Sequence, residues 1–147
     1  MSQLRVAFVA QRALARDGWG RYTVELVRSV MQEGITPVLV TQEPGVEPDL
    51  AGVEHHAVLP PIFDGRFSTV RSLRGRLRLA PILSGCDLVH NLVEPYLPLV
   101  ASSCRPALPL VQTAHGTWAV RPFEGRLSRL LFRPSLACVS LLVCQSR

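Results

Sequence analysis

Two glycines and two histidines are the residues whose positions could serve ligand chemistry. Gly18 and Gly20 stand in the stretch DGWGRYT, directly before a segment with helical periodicity. Glycine lets a backbone approach a ligand closely, and the amino end of a helix favours a phosphate. His90, in DLVHNL, and His115, in TAHGTW, accompany short apolar runs typical of buried strands. The glycines do not complete a dinucleotide fingerprint, because Thr23 stands where G-x-G-x-x-G requires its last glycine, and no P-loop lysine follows.

Each of these signals also has a structural interpretation. A flexible loop before a helix would explain the glycines equally well, and a lone histidine is more often a satisfied structural residue than a ligand. We interpret His55 and His56, on a predicted strand, as structural. No C-x-x-C pair or zinc-finger spacing is present, so the sequence predicts no metal site and a reduced setting. The four cysteines are Cys86, Cys104, Cys138 and Cys144.

Length and composition predict one folded domain with its own core. The chain has 147 residues, 48% of them hydrophobic and 18% charged, which excludes disordered and collagen-like classes. All 16 basic residues are arginines, and the net charge of +5 permits an anionic partner without selecting one. The longest apolar stretch near the end is about half of what a bilayer span needs, and no signal peptide is evident.

Strand-like and helix-like segments alternate along the chain, which predicts an α/β fold with a parallel sheet. The predicted strands are Leu4–Ala10, Pro37–Thr41, Val53–Leu59, Asp87–Leu92, Pro109–Thr113 and Leu136–Cys144. The predicted helices are Tyr22–Glu33, Phe67–Leu79, Pro95–Ser103 and Glu124–Phe132. Gly34 is expected to end the first helix and Pro134 the last.

Ligands of open parallel sheets bind beyond the carboxyl ends of the strands. Three segments are expected at that edge: Gln11–Arg21, His90–Tyr96 and Ala114–Trp118. The two glycines and the two histidines of the first paragraph all fall within them. The sequence therefore predicts that these groups share one side of the sheet.

Five stretches together resemble a known family. They are RVAFVAQ, GWGRYTVELVRSVMQEGITPVLVT, CDLVHNLVEPYLPLVAS, RPALPLVQTAHGTW and VSLLVCQSR, in the family's order and spacing. The combination resembles the amino-terminal domain of the retaining GT-B glycosyltransferases of family 4. The resemblance implies a Rossmann-like parallel sheet of about six strands flanked by helices, one half of a GT-B fold. It implies that residues 1–147 form a single acceptor-side domain and that the carboxyl-terminal, donor-binding domain is absent.

The same resemblance implies an activity and its residues. Such enzymes transfer a sugar from a nucleotide-diphosphate donor to a sugar or lipid-linked acceptor with retention, and no cofactor is implied. Gly18 and Gly20 would offer backbone N–H groups to the diphosphate, and His115 would be the catalytic residue that orients the transferred sugar. The acceptor side would comprise Trp19, Arg21, His90, Glu94 and Tyr96.

Two features of the sequence depart from the family's pattern. The family's glutamate pair, spaced E-x7-E, belongs to the carboxyl-terminal domain, and the equally spaced Glu25 and Glu33 lie on the predicted first helix. We interpret them as solvated helix residues and expect the isolated chain to lack turnover. The loop also reads Arg-Asp-Gly-Trp-Gly where many relatives have paired glycines.

A predicted basic helix allows a second kind of partner. Arg71, Arg74 and Arg78 recur at helical spacing, and an apolar stripe of Val70, Leu73 and Leu77 precedes them by one residue. An ordinary surface helix packed through that stripe is one interpretation. Peripheral binding to an anionic membrane is the other, which would place a cytoplasmic protein at the inner face of the membrane. Nucleic acid is not expected, because no aromatic stacking platform accompanies the arginines.

Two further hypotheses remain beside the transferase domain. One is a non-catalytic α/β module that binds a partner protein or an anionic membrane surface. The other is a small nucleotide-binding protein of a different Rossmann type, which the incomplete glycine fingerprint disfavours.

Overall fold

The computed structural model describes residues 3–61, 73–115 and 126–144, and its centre is a six-stranded sheet. The strands are β1 (Arg5–Ala10), β2 (Thr36–Thr41), β3 (Glu54–Ala57), β4 (Leu88–Asn91), β5 (Leu110–Ala114) and β6 (Leu141–Cys144). Their order is β3-β2-β1-β4-β5-β6, and every neighbouring pair is parallel. The predicted Rossmann-like sheet is confirmed, and its order reverses between β1 and β4, where such folds bind ligands.

Helices connect and flank the strands. They are α1 (Gly18–Gln32), α2 (Arg76–Ser84), α3 (Leu97–Ser103) and α4 (Arg126–Ala137). Short 3₁₀ turns cover Pro48–Leu50, Leu73–Gly75 and Glu94–Tyr96. Apart from Arg5 and Thr36 at their starts, β1 and β2 are buried throughout, whereas both edge strands keep exposed residues. Central strands covered on both faces carry near-continuous apolar sequence, which is why these two were predictable.

Helix α1 begins four residues before the predicted start. Asp17 precedes the helix in extended conformation, and its Oδ1 accepts the N–H of Gly20 at 2.8 Å. This is the usual role of an aspartate N-cap, which satisfies one of the free N–H groups of a first turn. The helix ends at Gln32, and Gly34 follows with a φ of 76°, so the predicted glycine stop is confirmed.

The prediction for the last helix and strand was partly wrong. Pro134 lies inside α4 instead of ending it, and the helix runs to Ala137, through the first residues of the predicted strand. The proline removes the N–H that would bond the carbonyl of Leu130, whose residue is largely exposed, so water can satisfy that oxygen. β6 therefore covers only the second half of the predicted range.

The basic helix also differs from its prediction. Residues 62–72, including Arg71 and the predicted helix start, lie outside the described residues, and α2 continues to Ser84. Leu79 and Leu83 are its buried residues, whereas Leu77 is 85% exposed. The expectation that Leu77 packs inward was therefore wrong. Helices α2 and α4 both pack against α3.

Within the described ranges, no helix is long and apolar enough to cross a bilayer.

Candidate functional site

His115 immediately follows β5 at the carboxyl edge of the sheet, and its ring packs against two aromatic side chains of α1. The centroid of the His115 imidazole lies 6.1 Å from that of Trp19 and 5.2 Å from that of Tyr22, the latter at 85°. An edge-to-face arrangement at this distance is a favourable ring contact. All three side chains are half-buried. The start of α1 and the residue after β5 therefore meet, as predicted for the segments Gln11–Arg21 and Ala114–Trp118. We call the cluster of His115, Trp19 and Tyr22 the rim.

Glu94 joins the rim from the turn after β4. Its side chain is 5% exposed, and Oε1 accepts a hydrogen bond from the backbone N–H of His115. The other carboxylate oxygen, Oε2, is buried and has no hydrogen-bond partner among the residues that the structure describes. Glu94 thus fixes the backbone at the end of β5 and retains one unused acceptor.

His90 lies on β4 beneath the rim. Its Nε2 is 2.7 Å from Thr113 Oγ1, and its ring centroid is 5.8 Å from that of Phe8. Burial, together with the nearby His115, lowers the pKa of His90 to about 4. The imidazole is therefore neutral at pH 7, and it can donate or accept one hydrogen bond without carrying charge.

The two predicted phosphate-binding glycines have different surroundings. A Cβ at residue 20 would lie 1.9 Å from the carbonyl oxygen of Leu14, whereas open space surrounds the corresponding position of Gly18. The N–H of Gly20 is already donated to Asp17. The structure thus changes the predicted role of Gly20: close packing requires the glycine there, and its N–H is engaged within the fold. Gly18 is exposed at the first turn of α1.

A charged network around this turn was missed by the sequence analysis. Arg12 lies between Asp17 Oδ2, 2.7 Å from its Nη1, and Glu43 Oε1, 2.6 Å from its Nη2. Within the described part of the chain, the buried Nε of Arg12 has no hydrogen-bond partner. These contacts hold the loop after β1 against the loop after β2. Asp17 stands three residues before Gly20, which is the spacing of an N-cap, and this spacing could have indicated the role of the aspartate from the sequence.

Tyr96 and Arg21 complete the list of predicted acceptor-side residues. Tyr96 is fully buried, and its hydroxyl oxygen lies 2.9 Å from Gln42 Oε1 and 3.0 Å from the Pro60 carbonyl oxygen. Burial, with the nearby charge of Glu43, raises the pKa of Tyr96. The structure corrects the prediction for Tyr96, because this side chain has no surface for an acceptor and braces the turn instead. Arg21 is exposed on the first turn of α1.

The remaining histidines and the spaced glutamates have contacts away from the rim. His55 Nε2 lies 2.7 Å from Thr41 Oγ1, and His56 Nε2 lies 2.8 Å from Glu54 Oε1. Burial and the charge of His56 lower the pKa of His55. Glu25 is exposed and pairs with Arg28 at 2.6 Å, as expected for a solvated helix residue. No group of three metal-ligating side chains occurs in the part of the chain that the structure describes.

The parallel sheet and its flanking helices define a Rossmann-like domain. The sequence model of Glycosyltransferase Family 4 matches residues 16–147, which is most of the chain. The chain therefore belongs to glycosyltransferase family 4. A comparison with curated proteins finds no match.

Two similar solved structures support the same fold. One is an alpha-glucosyltransferase in complex with UDP and a 13-mer DNA containing a HMU base, at 12% identity and a TM-score of 0.59. The other is a glycosyltransferase from Rickettsia africae ESF-5, at 16% identity and a TM-score of 0.59. The alignments cover 97% and 87% of this chain but only 38% and 35% of those two chains. The chain thus spans little more than a third of the length of either.

Proposed function

We propose that this chain is the acceptor-side domain of a retaining glycosyltransferase that uses a nucleotide-diphosphate sugar. In this proposal the rim forms one wall of a cleft, and a second Rossmann-like domain carries the donor nucleotide. Transfer then requires both domains, and the 147-residue chain alone is inactive. The family membership supports the reaction class, and the rim supports the location of the site.

The observation that carries the proposal is the contact of His115 with Trp19 and Tyr22. These residues come from the GWGRYT and TAHGTW stretches, about ninety residues apart in sequence. An imidazole held by flanking aromatic rings can orient a sugar through hydrogen bonds while the aromatic faces cover its apolar side. His90, Glu94 and Trp19 would border the acceptor, together with the exposed Arg21.

On the donor side, Gly18 is the better candidate for contact with the diphosphate. It is exposed at the amino end of a 15-residue helix, where N–H groups favour an anion. Gly20 supports this turn by letting it pack against Leu14. Donors placed there would stabilise the charge that develops on the leaving diphosphate.

The coding sequence and a transfer assay test this proposal. We expect an in-frame continuation beyond Arg147 that encodes a second Rossmann-like domain with an E-x7-E pair. The protein comprising both domains should hydrolyse or transfer from one member of a panel of UDP-, GDP- and ADP-sugars with retention, and residues 1–147 should not. A stop codon with no complementary domain encoded nearby, or turnover by the 147-residue chain alone, would contradict the proposal.

A specific observation also favours the second candidate, binding to an anionic membrane. Leu77 on α2 and Leu130 on α4 are 85% and 71% exposed, and both helices pack against α3. Arg74 and Arg78 are exposed beside Leu77. Exposed leucines among arginines are typical of surfaces that meet an anionic interface.

Vesicle sedimentation separates this candidate from an ordinary surface. We expect the protein to bind phosphatidylserine vesicles better than phosphatidylcholine vesicles, and an Arg74→Ala/Arg78→Ala variant to bind less. An Arg16→Ala/Arg21→Ala variant removes the same charge elsewhere and serves as the control. Equal binding by both variants would exclude a specific membrane face.

A further inference from the structure

Glu94 uses one carboxylate oxygen inside the fold and leaves the other unused. Oε1 accepts the N–H of His115, and Oε2 is buried without a partner in the described ranges of the chain. Buried carboxylate oxygens are normally hydrogen-bonded, since desolvation without a partner is costly. An unsatisfied oxygen on a 5% exposed side chain is therefore a feature that calls for a function.

The turn that carries Glu94 is held on both sides. Before it, the Asn91 side-chain amide donates to the Val93 carbonyl at 3.0 Å and to Gln112 Oε1 at 2.6 Å. After it, the hydroxyl of Tyr96 is held by Gln42 and Pro60. The carboxylate therefore has little freedom to turn toward another partner, and its position is preorganised.

The unused oxygen belongs to the carboxylate that binds the backbone of His115, a residue of the rim. Because both oxygens share one carbon and Oε1 binds the N–H of His115, Oε2 lies beside the backbone from which the His115 ring projects. Trp19 and Tyr22, which pack on that ring, are half-buried and offer aromatic surface. An anionic acceptor next to aromatic surface is suited to a polyol, whose hydroxyls donate and whose C–H faces are apolar.

We propose that Glu94 Oε2 accepts a hydrogen bond from a hydroxyl of the sugar held at the rim, and that Glu94 thereby selects sugars with a hydroxyl at that position. The proposal rests on the proposed function. The hydroxyl reaches Oε2 when the half-buried side chains around His115 shift, and it belongs to the donor sugar or to the acceptor sugar. Glu94 has two tasks in this account: Oε1 positions His115, and Oε2 contacts the substrate.

The Glu94→Gln variant separates the two tasks. Glutamine keeps a carbonyl oxygen for the N–H of His115 and replaces the anionic Oε2 with an amide NH₂. Glu47→Gln is the matched control, because Glu47 also accepts a backbone N–H, that of Ala15 at 2.7 Å, but in a loop away from His115. Slow exchange of the His115 amide proton with solvent, kept in Glu94→Gln, will report that the first task is intact.

Amide NMR of the labelled protein that comprises both domains measures the second task. The probes are methyl glycosides of glucose, mannose, galactose and N-acetylglucosamine, and the corresponding UDP- and GDP-sugars. We expect the His115 amide to respond to at least one probe, with affinity about tenfold lower in Glu94→Gln and unchanged in Glu47→Gln. A response to simple glycosides identifies the acceptor as the source of the hydroxyl, and a response confined to nucleotide sugars identifies the donor.

Deoxyfluoro analogues of the bound probe test the proposal without a mutation. Fluorine cannot donate, so one analogue should bind the wild-type two-domain protein about tenfold more weakly and lose clearly less in Glu94→Gln. Binding of every analogue as tightly as the parent sugar, or equal binding by wild type and Glu94→Gln, would overturn the role of Oε2. No response of the wild-type two-domain protein to any probe would instead contradict the proposed function.

Discussion

The region of the rim buries polar side chains, whereas the outer helices α2 and α4 expose apolar ones. Glu94, which joins the rim, and Asn91 on β4 are buried polar side chains. Each has one bonded polar atom and one without a partner among the described residues. On α2 and α4, Leu77 and Leu130 are large apolar side chains left in water. Buried polar groups are retained where chemistry or binding needs them, and exposed apolar groups where a surface is to be covered. The comparison supports the two proposals made above, ligand handling at the rim and docking at the outer helices.

The largest expected effect comes from the tight packing under the rim. Gly20→Ala puts a Cβ 1.9 Å from the carbonyl oxygen of Leu14, so the backbone must move, and we expect a loss of about 3 kcal/mol in the free energy of unfolding. Gly18→Ala has open space and should change that free energy by less than about 1 kcal/mol. Urea unfolding measures both. Equal effects would show that the turn does not pack as described.

Acid should weaken the fold at the rim through His90. Its folded pKa of about 4 lies below the ordinary 6.5, so the unfolded chain binds more protons between these values, and stability falls as pH falls. The contribution is up to about 3 kcal/mol between pH 7 and pH 4. Unfolding of His90→Gln across this range should depend less on pH than that of the wild type. Parallel profiles would contradict a buried, neutral His90.

The hydroxyl of Tyr96 braces the turn that carries Glu94, and its removal should have a smaller effect on the free energy of unfolding. Tyr96→Phe leaves Gln42 Oε1 and the Pro60 carbonyl without this donor, and we expect a loss of about 1–2 kcal/mol in the free energy of unfolding. Tyr22→Phe is the control, since no hydrogen bond of the Tyr22 hydroxyl is found among the described residues. An effect of Tyr22→Phe as large as that of Tyr96→Phe would argue against the brace.

The outer helices supply the smallest expected effect. Leu77→Ala removes an 85% exposed side chain and should change the free energy of unfolding by less than about 0.5 kcal/mol. Leu79→Ala, two residues further on the same helix and fully buried, should cost about 2–5 kcal/mol. Thermal or urea unfolding will compare them. A large loss of free energy of unfolding in Leu77→Ala would contradict the contrast between the rim and the outer helices.

The strand pattern was the most predictable part of the molecule. β1 and β2 are short continuous apolar runs, and their alternation with helical segments leaves few topologies other than a parallel sheet. Leu136–Ala137 were misassigned because a short apolar run fits a helix as well as a strand. Pro134 was misleading because its lost hydrogen bond falls on the exposed side of α4.

The proximity of the GWGRYT stretch to His115 was predictable, but the individual contacts there were not. The carboxyl-edge rule brought His115 and the GWGRYT stretch to one rim without coordinates. The bond between Glu94 and the N–H of His115 joins residues 21 apart through the tertiary fold, and no local pattern indicates it. The burial of Tyr96 and the engaged N–H of Gly20 likewise depend on neighbours from other loops.

The most direct test of the rim compares two histidines of the same sheet in the protein that includes the donor-binding domain. His115→Ala should lower the rate of sugar transfer about a hundredfold, because it removes an orienting group beside the sugar. His55→Ala, whose partner is Thr41 beside β3, should keep the wild-type rate. Equal rates for wild type and His115→Ala would contradict the account.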